Sequence, residues 1–200
     1  MTNRETDDLS GILEQARTFA RDRLSDKRFG HTERVADTAE HLARVHSLHP
    51  ERTRLAALLH DAAREVNRHK LLRLAENWNL PVDKPERTSP GILHGPVAAE
   101  MSRRELGIED EEVLEAIRIH TTAAPGMSPI ALAVYIADKI EPSRDYPSVE
   151  RLRELAETDL HEVTREALHR VIEYNESRGR TIHPDSRKAL NWLEGRKSSG

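Results

Sequence analysis

Six residues scattered over five segments of this 200-residue chain have the chemistry of metal ligands: His31, the adjacent His60 and Asp61, His94, His120 and Asp138. Neutral imidazole and carboxylate groups suit divalent transition metals. A carboxylate has two oxygens, so Asp61 could bridge two ions. His60 and Asp61 sit in "LLHDAAR", at the end of a strongly apolar run. Neighbours on a helix point about 100° apart, so the pair can share only a site that lies beside its helix and is completed by other segments. Asp138 ends the chain's most hydrophobic stretch, "AVYIADKIEPSR", where burying a carboxylate is costly unless it is paired or metal-bound.

Each of these histidines, taken singly, has a bland reading as a satisfied core or cap residue. As a set they share a context. His31 opens a helix after Gly30, His60 closes an apolar run, His94 lies between a loop and a helix start, and His120 ends a helix before a loop. Of the chain's eleven histidines, His41, His46, His49, His69, His161 and His169 stand among charged residues and are expected on solvated helix faces. His183 precedes Pro184 and can help start the last helix.

The elements that must position these residues all have helical periodicity, and no convincing alternating strand or hairpin signal is present. "SGILEQARTFARDRL" starts at Ser10 as N-cap candidate. "HTERVADTAEHLARVHS" aligns Val35, Ala39, Leu42 and Ala43. "RTRLAALLHDAAREV" follows Pro50, which suits a helix start. "RHKLLRLAENW" precedes a proline-rich loop, "NLPVDKPERTSPG". "GPVAAEMSRREL" is closed by Gly107. "EDEEVLEAIRIH" carries acids in its first turn, which favours the helix dipole, and "PIALAVYIADKI" reads as a buried helix. After "EPSRDYPS" come "VERLRELAETD", "LHEVTREALHRVIEYNESRG" with Gly179 just past its end, and "HPDSRKALNWLEG". The expectation is one all-α domain over residues 9–194, of nine or ten helices, the last three forming a C-terminal lobe. Residues 1–8 and 195–200 read as flexible tails.

Composition narrows the function. With two Phe, two Trp and three Tyr, the core must be aliphatic. The net charge of -4, without a basic stripe, argues against nucleic acid or an anionic membrane as partner. The absence of cysteine removes disulfides, thiolate metal sites and cysteine nucleophiles. No apolar run has the roughly 18 residues of a membrane span, and "MTNRETDDLSG" is no signal peptide. A soluble cytoplasmic protein is expected.

The order His31, His60-Asp61, His94, His120, Asp138 resembles the HD superfamily of metal-dependent phosphohydrolases. The strings "RFGHTERVADTAEHLA", "AALLHDAAR", "ILHGPVAAE", "EAIRIHTTAAPGMSPIALAVYIADKIEPSRDY" and "GRTIHPDSRKALNWL" narrow the likeness to the bacterial HD-domain symmetrical bis(5'-nucleosyl)-tetraphosphatases, from about Arg28 to Leu193. "HTTAAPGMS" and "ADKIEPSRDY" are its most specific parts. The resemblance implies a single HD-domain helical bundle with a C-terminal helical extension. It also implies two divalent metal ions, with iron first and manganese or another divalent ion as alternatives, and cleavage of diadenosine tetraphosphate into two ADP. On this pattern His31, His60, Asp61 and Asp138 hold one ion, and His94 and His120 the other, with Asp61 bridging.

An anionic substrate needs local cations. Arg64, four residues after His60, would share its helix face and is a candidate for catalysis and phosphate binding beside Asp61. Arg28, Lys139 and Arg144 are further phosphate candidates. Thr121 could bond a phosphate or cap a helix, and Tyr146 could stack on a base or close a loop. Glu141 could support Lys139 or Arg144, and Gly95 could allow a close backbone approach, whereas Gly126 reads as a turn residue. Two other readings stay open: an HD phosphohydrolase for another nucleotide, and a non-catalytic helical regulatory module. Oligomeric state is also open, a homodimer included.

Overall fold

The computed structural model describes residues 3–197, with side chains placed from Ser10 to Arg196. Eleven α-helices and one short 3-10 turn make up the described residues, with no strand among them. Helix α1 spans Asn3–Arg21, α2 Asp26–Val45 and α3 Pro50–Leu59; α4 (Arg68–Asn77) and the short α5 (Lys84–Thr88) follow. The 3-10 turn Pro90–Leu93 leads into α6 (His94–Leu106), then α7 (Glu111–Ile119) and α8 (Pro129–Ile140). The C-terminal helices are α9 (Val149–Ala156), α10 (Leu160–Ser177) and α11 (Pro184–Lys197). The count exceeds the nine or ten expected because the proline-rich segment folds locally. A capping box between Asp83 and Glu86 starts α5 there, since each side chain satisfies a free backbone N–H of the other.

Three boundaries differ from expectation. Helix α1 begins at Asn3, so Ser10 lies inside it rather than capping it. Helix α2 begins at Asp26, capped by Ser25, whose Oγ accepts from the Arg28 amide. His31 therefore sits in its second turn and does not open it. Helix α3 stops at Leu59 instead of running to Val66. Beyond it, Ala62 N–H donates to Leu59 O, Arg64 to Asp61 O and Val66 to Ala63 O, so successive tight turns replace the α-helical ladder. Pro129 at the start of α8, Gly107 after α6 and Gly179 after α10 behave as expected.

Helix α8 is the axis of the core. Its residues Ile130 to Ala137 are all buried, and it packs against α2, α3, α7, α9 and α10. The contacting faces are rich in alanine: Ala36, Ala39 and Ala43 on α2, Ala56 and Ala57 on α3, Ala131, Ala133 and Ala137 on α8. Helix separation follows side-chain size, so small residues draw these helices close enough for ligands on separate elements to meet. Leu58 and Leu59 anchor the end of α3, both buried, each worth about 1.5–3 kcal/mol of burial. Arg52 clamps the starts of α3 and α7, donating to both oxygens of Asp110 at 2.6 and 2.7 Å. Helices α9 to α11 pack on one another and reach the core through α8, which forms the expected C-terminal lobe.

Candidate metal centre

All six ligand candidates meet at one end of this bundle. His60 is the C-cap of α3, His120 the C-cap of α7, and His94 the first residue of α6. Helix ends leave carbonyls without intrahelical partners, and these imidazoles use carbonyls three residues back. Nδ1 of His60 donates to Ala57 O at 2.6 Å, Nδ1 of His94 to Gly91 O at 2.6 Å, and Nδ1 of His120 to Ile117 O at 2.8 Å. His31, within α2, gives its Nδ1–H to the buried Glu141 carboxylate at 3.1 Å. In every ring the second nitrogen, Nε2, is thereby left with its lone pair, the form that ligates metals.

Those four Nε2 atoms converge on Asp61, and its two oxygens divide them. Oδ2 faces His60 at 3.5 Å and His31 at 3.9 Å. Oδ1 faces His94 at 3.3 Å and His120 at 3.7 Å. Asp138 adds its Oδ1 at 3.1 Å from His31 Nε2. This is a cluster of acceptors. The buried Nε2 atoms of His31 and His60 have no hydrogen-bond partner, and those of His94 and His120 face each other at 3.0 Å. Thr121 Oγ1, at 3.2 Å from His94 and 3.1 Å from His120, has one proton and can serve only one of them. Unpaired buried acceptors are costly, and a divalent cation satisfies several at once. The donor sets His31–His60–Asp138 and His60–Asp61–His120 each bring their ligand atoms within 4.8 Å of one another. The residues present fit divalent metal.

Protonation agrees. Burial pushes His60 down to about 4 and His94 down as well, so both are neutral near pH 7. Burial opposes charge on Asp61, yet it is held well below the ordinary carboxylate range, because a proton in this cluster, on His60 foremost and then on His120 or His94, is drawn to the carboxylate as its partner. Asp138 is only part-buried; desolvation works against its charge, but it is kept low, chiefly by Lys139, then by His31, His60 and Arg144. Neutral imidazole beside ionised carboxylate is the state metal binding requires.

Three cations close over the carboxylates. Arg28 donates to Asp61 Oδ2 at 3.0 Å, Lys139 to Asp138 Oδ2 at 2.7 Å, and Arg144 to Asp138 Oδ1 at 2.7 Å. Arg64 is not among them. Because α3 ends before His60, the helical spacing argument fails; Arg64 is exposed and lines a cavity with Arg28, Asn67 and Arg68. Thr121 touches the ligand nitrogens, and Tyr146 ties its loop to α8 by donating to Lys139 O at 2.9 Å. Glu141 has a wider role than expected: it accepts from His31, Arg34 and Ser143, and it also supports Arg144, whose Nε lies 3.8 Å from its carboxylate and whose amide donates to its backbone carbonyl at 2.8 Å. Nothing in local sequence joined Glu141 to His31, which is 110 positions distant. Gly95 does allow a close approach, but to protein: a Cβ there would lie 2.6 Å from Arg118 O on α7. Gly126 is a turn residue with φ 75°.

Of the other histidines, His41, His69 and His169 are exposed as expected. His46 and His49 are part-buried caps of α2 and α3, and His161 is part-buried beside Trp192. His183 accepts from the Asp185 amide at the start of α11 and contacts Glu86 at 2.7 Å.

Comparison with known proteins covers the same residues. The family described as HD domain matches residues 28–143. The Bacillus subtilis protein named bis(5'-nucleosyl)-tetraphosphatase, symmetrical, is 32% identical over 180 residues, spanning 90% of this chain and 96% of that protein. A Halalkalibacterium halodurans protein of the same name is 35% identical over 85% of this chain and 90% of its own length. A crystal structure from Clostridium acetobutylicum, described as a predicted HD superfamily hydrolase involved in NAD metabolism, superposes with a TM-score of 0.89. It is 31% identical and covers 92% of this chain and 97% of its own. Among the described residues, no helix is long and apolar enough to cross a membrane.

Proposed function

Because the chain belongs to the HD domain family, we propose that it is a metal-dependent hydrolase that splits diadenosine tetraphosphate symmetrically into two ADP. The substrate is that implied by the names of its relatives, which align with it over most of its length. The observation that carries the chemistry is the division of Asp61: one oxygen toward His31 and His60, the other toward His94 and His120. That division is what a carboxylate bridging two ions needs. His31, His60 and Asp138 complete one site, and His94 and His120 the other. Bound there, divalent ions, iron first and manganese or another divalent ion as alternatives, would supply a water of lowered pKa and charge to offset the phosphoryl oxygens.

The chain's own residues do the rest. Backbone carbonyls and Glu141 hold the four imidazoles in the ligating tautomer. Arg28, Lys139 and Arg144 are partly exposed and approach the carboxylates from their open side, where they bind the phosphate chain and offset its charge. The core behind α3 and α8 excludes bulk water. Local cations of this kind explain how a protein of net charge -4 takes a polyanion. In the test, metal-loaded protein turns over diadenosine tetraphosphate, while chelator-treated protein and Asp61→Ala do not. Turnover that survives in Asp61→Ala, with helical content intact, overturns the assignment.

A further inference from the structure

A cavity of about 670 Å³ adjoins the metal centre and shares Asp138, Lys139 and Arg144 with it. Its remaining walls are mostly apolar and come from the C-terminal lobe and the loop leading to it, including Tyr146, Leu152 and Tyr174. This volume is typical of small-molecule sites. The chain has three tyrosines, and this one cavity takes two of them. Tyr146 is half-buried and fixed by its bond to Lys139 O. Tyr174, in the last turn of α10, is 53% exposed. Arg178 and Arg180 lie 5.3 and 5.9 Å from the centre of its ring. A half-exposed aromatic ring on a cavity wall, flanked by guanidinium groups, suits a planar ligand that stacks on it in exchange for those contacts.

A second cavity meets the centre from another side, through His31 and Glu141, and its lining is basic, with Lys27, Arg28 and Arg34. Arg144 belongs to both cavities. The two cavities differ in the tyrosines and apolar side chains of the first; cations line both, Lys139, Arg144 and Arg170 in the first and Lys27, Arg28, Arg34 and Arg144, with Glu65 and Glu141, in the second. A dinucleoside polyphosphate has the matching parts. Its phosphates at the centre lie against Lys139 and Arg144, and the next group along the chain is a sugar and base.

The geometry points to the Tyr146–Tyr174 cavity as a nucleoside site that stacks one base of the substrate on Tyr174, while the other half of the substrate extends over the basic cavity. This inference rests on the proposed hydrolase reading. Tyr174 lies beyond the residues matched to the HD domain, so the HD core supplies the reaction and the C-terminal lobe selects a nucleotide. Stacking accepts any base, because every base offers a π-face. The site therefore favours nucleotides over bare polyphosphate without choosing sharply among bases.

Michaelis constants for diadenosine tetraphosphate and adenosine 5'-tetraphosphate, and inhibition by inorganic tetraphosphate, test this in metal-loaded wild type, Tyr174→Ala and Tyr174→Phe. Tyr174→Ala should raise both Michaelis constants on the order of tenfold and leave inhibition by inorganic tetraphosphate unchanged, and Tyr174→Phe should restore wild-type values. Unchanged Michaelis constants in Tyr174→Ala, or an equal loss toward inorganic tetraphosphate, overturn the site while leaving the hydrolase reading intact. If wild type fails to turn over the dinucleotide, the hydrolase reading falls instead. Titration of ADP against inorganic pyrophosphate then decides the cavity: tighter ADP binding that Tyr174→Ala removes supports it, and equal binding overturns it.

Discussion

His31 and Glu141 form a hydrogen bond of 3.1 Å between two buried side chains, joining the second turn of α2 to the C-cap of α8. Of the four inward-facing imidazoles, His31 alone is oriented by a carboxylate rather than a backbone carbonyl. Arg34 and Ser143 hold that carboxylate and, against the cost of burial, keep its pKa down to about 2. An ionised partner fixes the tautomer of His31 and makes its Nε2 a stronger ligand. Glu141→Gln keeps the shape and removes the charge. Its metal affinity should fall roughly 10- to 100-fold, measured by chelator competition, with the circular dichroism spectrum unchanged. Wild-type affinity in this variant would show that the carboxylate does not tune His31.

Gly95 follows a ligand and meets the α7 backbone. A methyl at this position would sit 2.6 Å from Arg118 O and 3.2 Å from Ile117 O, so the helices must part. Gly95→Ala should cost about 1–3 kcal/mol, or roughly 2–4 °C in Tm per kcal/mol for a chain of this size. It should also weaken metal binding, because His94 and His120 stand on the two helices being separated. A Tm and metal affinity equal to wild type would contradict the close approach.

Arg144 donates to both the carboxylate and the backbone carbonyl of Asp138 and borders the nucleoside cavity. Charged hydrogen bonds are worth about 1.5–3 kcal/mol, so Arg144→Ala should raise KM on the order of tenfold while metal content per chain stays constant. An unchanged KM would remove Arg144 from phosphate binding.

Acid should destabilise the metal-stripped protein in two stages. The first belongs to the buried imidazoles. His60 titrates near 6.5 when unfolded but is pushed to about 4 by burial when folded, and His94 shifts the same way. Between those values the unfolded chain binds a proton that the folded chain refuses, so stability is level above pH 6.5 and falls as pH drops toward 4. For His60 the full loss is about 3 kcal/mol. The second stage belongs to carboxylates whose folded pKa is depressed, Glu141 included. Their stabilisation is present above their unfolded pKa, about 4.3 for Glu, and is lost as pH falls through the folded value. Thermal melts in chelator across this range check both signs, and a Tm that stays level down to pH 4 would contradict the neutral buried imidazoles.

Much of this centre could be read before any coordinates. All six ligand candidates are rare types for their apolar surroundings; five of them are buried, and the side chain of Asp138 is 15% exposed. What stayed hidden depended on backbone breaks and long-range contacts. The apolar run before His60 looks like a helix that continues, and only the tight turns after Leu59 reveal why His60 and Asp61 can both face inward. Glu141 was legible as a support for Lys139 or Arg144, but not as the partner of His31 and Arg34, which lie on another helix. Tyr174, amid charged neighbours, gave no sign of its cavity, since α8 and the C-terminal lobe must pack before that cavity exists.

The central claim is symmetrical hydrolysis at the centre built on Asp61. Its most direct test is to incubate metal-loaded protein with diadenosine tetraphosphate and resolve the nucleotides formed at early times. ADP should be the sole product; ATP and AMP in equal amounts, or no product at all, would rule out symmetrical cleavage at this centre.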